Sequence, residues 1–98
     1  MTKSVSAIDT LSVVAPAYNE ADGISQVVSH WLGYLRARPG VSAFEIVVCN
    51  DGSTDDTGQI LRSLAAEHRE IRVVEHARNR GGGCAVASAI GATRYRWC

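Results

Sequence analysis

Cysteine is scarce and scattered in this chain: Cys49, Cys84 and Cys98 are the only three among 98 residues, and no two stand in C-x-x-C spacing. That argues against a disulfide framework or a zinc site and for a reducing compartment. Cys49 falls inside an apolar run and reads as a small buried hydrophobe. His30, His68 and His76 lack metal-ligand spacing and read as helix-surface or strand-end residues. Charge of one sign is also lacking. Ten basic and ten acidic side chains cancel, with no arm or run that points to nucleic acid or an anionic membrane. No stretch approaches the roughly 20 apolar residues that cross a bilayer. Residues 1–9 have no apolar core of signal-peptide length and read as a loose leader. The expectation is a soluble chain in the cytoplasm or at the cytoplasmic face of a membrane, with any membrane segment belonging to a longer parent.

What is present suits one small domain, 46% hydrophobic and 20% charged. The stretch from Phe44 to Asp56 organises it. Ile46-Val47-Val48-Cys49 is an apolar run of strand length, and four such residues in a row predict burial on both faces, as in a parallel sheet. Asp51 stands at its C-terminal tip, and Gly52 permits a sharp turn. Ser53, Thr54 and Asp55 are good helix caps. In open α/β sheets that tip is where ligands bind.

The remaining chain falls into place around this unit. Leu11–Ala15 predicts a first strand that Pro16 ends. Ala17-Tyr18-Asn19-Glu20 then forms a turn, with Asn19 capping the next helix and Asp22 partly completing a capping box. Ile24, Val27, Val28, Trp31, Leu32 and Leu35 make one apolar helical stripe, which Arg38-Pro39-Gly40 stops. Ile60, Leu61, Leu64 and Ala65 mark the face of a second helix, and Ile71–Glu75 a third strand. Gly81-Gly82-Gly83 opens a small-residue segment, Cys84 to Ala92, expected to be a helix packed closely on the sheet. Tyr95–Cys98 has strand character. The order is α/β, β-α-β-α-β-α-β, a Rossmann-like parallel sheet.

Neither common phosphate cradle is present. The dinucleotide fingerprint needs G-x-G-x-x-G after the first strand, where this chain reads Pro-Ala-Tyr-Asn-Glu. A P-loop needs Gly-Lys-Ser/Thr, and no lysine follows the Gly81–Gly83 run. The first two strand tips carry Tyr18, Glu20 and Asp51 instead. A ring beside a carboxylate suits a nucleobase: the ring stacks, and the carboxylate accepts from a ring N–H of uracil or guanine. Taken singly, each has a plainer reading, in which Tyr18 packs and Asp51 caps a turn.

Three segments taken together say more: Val13–Glu20, Glu45–Thr57 and Arg78–Gly83. In this order and spacing they resemble the N-terminal half of family-2 glycosyltransferases, GT-A enzymes that include dolichyl-phosphate mannose synthase-like and cell-wall or polysaccharide transferases. The resemblance covers roughly residues 11–97. It implies a nucleotide-sugar site, with Pro16, Ala17, Tyr18 and Glu20 as base and ribose wall. It also implies that Asp51 contacts the base and that Asn79, Arg80, Gly81 and Gly83 form a turn near the donor. Two positions depart from the pattern: Asn50 replaces a usual Asp, and Gly82 a frequent lysine.

The resemblance further implies a donor such as a UDP- or GDP-linked sugar, and an acceptor glycan or lipid phosphate. A divalent metal, Mg²⁺ or Mn²⁺, is implied for the parent, held by an Asp-x-Asp motif that the chain ends before. Residues 10–98 are thus read as the nucleotide-sugar-binding half of a truncated domain, inactive alone, with no metal ligand of its own and no identifiable catalytic residue. An unpaired edge near Tyr95–Cys98 predicts poor solubility or dimerisation. The alternative is a noncatalytic nucleotide-binding remnant. A Rossmann oxidoreductase is disfavoured by the missing first-turn glycines.

Overall fold

Strands and helices alternate along residues 10–93, which the structure, a computed structural model, describes. They are β1 (Thr10–Ala17), α1 (Ile24–Ala37), β2 (Ala43–Asp51), α2 (Thr57–Glu67), β3 (Ile71–His76) and α3 (Gly82–Gly91). The leader and the Tyr95–Cys98 strand lie outside the described residues.

β2 is the central strand. It pairs in parallel with β1, from Thr10↔Ala43 to Ala17↔Asn50, and with β3, from Ile46↔Ile71 to Asp51↔His76. Ile46, Val47, Val48 and Cys49 are all fully buried. Side chains alternate along a strand, so Ile46 and Val48 join the core under α1 and α2, while Val47 and Cys49 meet Ala85 and Ala89 of α3. Helices on both faces explain why the run has no polar alternation.

The α1 stripe holds at Ile24, Val28, Leu32 and Leu35, all buried, with Trp31 partly so. Val27, at the stripe's margin, is 42% exposed. Leu61 and Leu64 of α2 are buried, and Ile60 and Ala65 partly. In α3 the small residues Ala85 and Ala89, both fully buried, let the helix lie close on the sheet. The Arg72 guanidinium donates to the Ala92 carbonyl at 2.7 Å, fastening the far end of α3 to β3.

Three expectations need correction. β1 continues through Pro16 to Ala17. Among the described residues β1 pairs only with β2, and an edge strand tolerates a residue that cannot donate. Asn19 does not cap α1: the helix begins at Ile24 after Gly23 with no side-chain cap, and the Glu20 carbonyl accepts the Gly23 and Ile24 N–H groups instead. Nor do Ser53 or Thr54 cap α2, which begins at Thr57 after Asp56. Asp55 takes that part from two residues away, its Oδ1 accepting the Thr57 N–H at 3.0 Å.

Candidate nucleotide-binding site

Parallel pairing brings the C-terminal ends of all three strands to one edge of the molecule, so the turns that leave them are neighbours. The first two turns are stitched together. Asn19 adopts a left-handed backbone, φ 51°, which Asn tolerates better than most residues. Its N–H donates to Ser53 Oγ at 3.0 Å, and its Oδ1 accepts the Thr54 N–H at 2.8 Å. Beside it, the Glu20 N–H donates to Thr57 Oγ1 at 2.8 Å and the Ala21 N–H to Asp55 Oδ2 at 3.2 Å.

Asp51 fastens the third turn. Its Oδ1 lies 2.7 Å from His76 Nδ1 and accepts the Arg80 N–H at 2.9 Å. Its Oδ2 accepts the Gly81 N–H at 2.8 Å and Asn79 Nδ2 at 3.1 Å. Gly81 immediately precedes α3, so the carboxylate stands at the positive end of that helix, where negative charge is favoured. The His76 hydrogen bond, aided by the amides of Arg80 and Gly81, outweighs burial and holds the carboxyl below its ordinary value. Burial, with the Asp51 charge nearby, pushes the Cys49 thiol up. Gly52, at φ 70°, presses against the backbone of Arg78 and Asn79, so a side chain there would collide with the third turn.

The sequence-nominated residues meet at this edge in different ways. Tyr18 is 44% exposed and follows Ala17, whose partner Asn50 precedes Asp51; ring and carboxylate therefore belong to adjacent strand tips. Pro16 and Glu20 are exposed. Ala17 is not part of a side-chain wall, because strand alternation turns it into the core at 1% exposure. Asp51 is 2% exposed and its oxygens already serve the third turn, so the plainer, turn-capping reading describes what it does in this structure. Asn79 and Gly81 form that turn, and Gly83 is exposed in the first turn of α3. Asn50 accepts the Ser53 N–H at 3.3 Å, keeping the polar cap expected of it.

Sequence reasoning missed two participants. His76 stands at a strand end, as expected, but its side chain is only 6% exposed and bridges Asp51 to Ser88 of α3. Thr57 is fully buried and receives the first turn. Neither carries a local signal, since their partners are far off in sequence. Among the described residues no three His, Cys, Asp or Glu side chains gather where a cation could be held.

The family model Glycosyl transferase family 2 matches residues 12–98. The chain belongs to glycosyl transferase family 2. This family-2 chain is 38% identical over 76 residues to a dolichyl-phosphate beta-glucosyltransferase of Trichomonas vaginalis, an alignment covering 74% of the chain and 23% of the relative. It is 37% identical over 81 residues to the dolichyl-phosphate beta-glucosyltransferase of Saccharomyces cerevisiae, covering 78% and 24%. The mannosyltransferase PcManGT from Pyrobaculum calidifontis, solved in complex with GDP-Man and Mn²⁺, superposes with a TM-score of 0.72 at 25% identity. That superposition covers 95% of the chain and 28% of PcManGT. The chain thus spans about a quarter of the length of the curated relatives it matches. The fold is that of GT-A glycosyltransferases, as the resemblance implied. No helix among the described residues is long and apolar enough to cross a membrane.

Proposed function

We propose that this edge binds the nucleotide of an activated sugar, and that a whole enzyme of the relatives' length transfers that sugar to a lipid phosphate or glycan. The observation that carries the reading is the convergence of three stitched turns beside an aromatic ring left 44% exposed. A ring held by a rigid turn offers a stacking platform to a base. The Asn79–Gly81 turn, fastened to the neighbouring strand tip by Asp51, is the segment offered to ribose or phosphate. Asp51 contributes by shaping that turn, and reaches the base only if one of its present partners yields. Pro16 and Glu20 flank the ring as wall residues, and Gly83 leaves the start of α3 open to a bulky donor.

The relatives' names supply the chemical class: a dolichyl-phosphate acceptor in one group and a GDP-linked sugar in the other. A divalent cation would serve the whole enzyme with ligands from outside the described residues. The noncatalytic alternative shares the same nucleotide-binding edge and differs only in lacking transfer.

Calorimetry of the chain with UDP and GDP, with and without Mn²⁺, tests the reading. One nucleotide should bind. Tyr18→Ala should weaken it by about 1–3 kcal/mol, the usual worth of base stacking on an aromatic ring. Undiminished binding to the Tyr18→Ala protein would remove the ring from the site, and tighter binding of NAD than of either nucleotide would remove the site from this class.

A further inference from the structure

His76 ends β3 with its ring enclosed by two other elements. Nδ1 lies 2.7 Å from Asp51 Oδ1 on β2, and Nε2 lies 2.8 Å from Ser88 Oγ on α3 and 3.7 Å from Cys49 Sγ. An ionised carboxylate only accepts hydrogen bonds. With Asp51 ionised, Nδ1 therefore carries a proton and donates it to Oδ1. In the neutral ring Nε2 accepts from the Ser88 hydroxyl. In the imidazolium the hydroxyl turns and accepts instead, so the bond to Asp51 persists in both states.

The serine, histidine, carboxylate order matches the relay of acyl-transfer enzymes, but the carboxylate here is shared differently. The Oδ1 that takes the ring proton also takes the Arg80 N–H, while Oδ2 takes the Gly81 N–H and Asn79 Nδ2. Asn79, Arg80 and Gly81 all belong to the turn being held, so His76 is the donor of these four that ties the carboxylate to a neighbouring strand, and Ser88 fastens the ring in turn to the packed helix.

We propose that His76 is a positioning residue for nucleotide binding: by orienting the Asp51 carboxylate it sets the shape of the Asn79–Gly81 turn that meets the nucleotide. The inference rests on the nucleotide-binding reading above. His76 itself touches no nucleotide, and Ser88 acts at one further remove.

Four proteins test it: wild type, His76→Asn, His76→Gln and Ser88→Ala. Each is titrated calorimetrically with GDP and with UDP in the presence of Mn²⁺, and checked by circular dichroism and melting. Asn places an amide N–H near the position of Nδ1, whereas Gln reaches towards Nε2. For whichever nucleotide the wild type binds, His76→Gln should weaken affinity by about tenfold or more, the worth of a charge-assisted hydrogen bond. His76→Asn should stay within about threefold of wild type, because it keeps the bond to Asp51. Ser88→Ala should fall between them.

A long-range ¹H–¹⁵N spectrum should show the ring proton on Nδ1. Wild-type affinity in His76→Gln, failure of His76→Asn to rescue with its fold intact, or a neutral ring protonated on Nε2 would each overturn the inference. If His76→Gln does not fold, Ser88→Ala decides, since it leaves the imidazole in place; unchanged affinity there overturns it. Binding of neither nucleotide by folded wild type removes the functional reading and this inference together, an outcome distinct from equal binding by wild type and variants.

Discussion

Gly52 bears two constraints at one atom. Its backbone is left-handed, at φ 70°, and its missing Cβ is the space in which the Arg78–Asn79 backbone lies. The left-handed conformation alone costs a residue with a side chain about 1–3 kcal/mol. Gly52→Ala should therefore lower unfolding free energy by at least that amount in urea titrations, and weaken nucleotide binding because the third turn must move. A Gly52→Ala protein of wild-type stability would mean that the turn yields freely. The first constraint was legible in the sequence as a turn glycine after a strand. The second was not, because the segment it meets lies some 26 residues further along the chain. Asp51 follows the same logic: its place at a strand tip could be read, but the donors that saturate it come from Asn79, Arg80 and Gly81 and were visible only once β3 lay beside β2.

At the scale of elements, periodicity served well where one face decides the outcome. The Ile46–Cys49 run and the α1 stripe were read from the spacing of their apolar residues, and both elements formed as their patterns required. The misplacements fall at element ends. Asn19, Ser53 and Asp55 are all good cap residues by type, yet Asn19 and Ser53 bond across turns rather than along the chain. Local preference cannot rank a cap against a tertiary partner of the same chemistry. α3 depends on a different property, the smallness of Ala85 and Ala89 against Val47 and Cys49. Replacing Ala89 with Leu should lift the helix and cost about 1–3 kcal/mol of stability by overpacking. Because the Arg80 and Gly81 amides sit at that helix's start, nucleotide affinity should fall with it. Denaturant unfolding and calorimetry on the same Ala89→Leu sample check both effects.

For the molecule as a whole, the described carboxylates with shifted acidity set the response to acid. Asp51 is lowered chiefly by His76, Asp55 by the Thr57 hydroxyl and Glu70 by Arg36. Groups whose folded pKa is depressed add stability above their unfolded values, about 3.9 for Asp and 4.3 for Glu, and lose it as pH falls through the folded ones. Measured against pH, the share of unfolding free energy that these three carboxylates contribute should thus be constant above about pH 5 and decline below about pH 4. Asp51→Asn should shallow the decline; an unchanged slope would show that this carboxylate is no better held in the native state than in the unfolded one.

The seam at Asn19 has a consequence for how such a domain can vary. The Asn19 side chain and the successive amides of Asn19, Glu20 and Ala21 close the two loops on each other, so a residue inserted in either loop would put the whole set out of step. The pair is one inheritable part, and a graft that moved the Tyr18–Ala21 loop into another scaffold without its Ser53–Asp55 counterpart would carry half of a clasp.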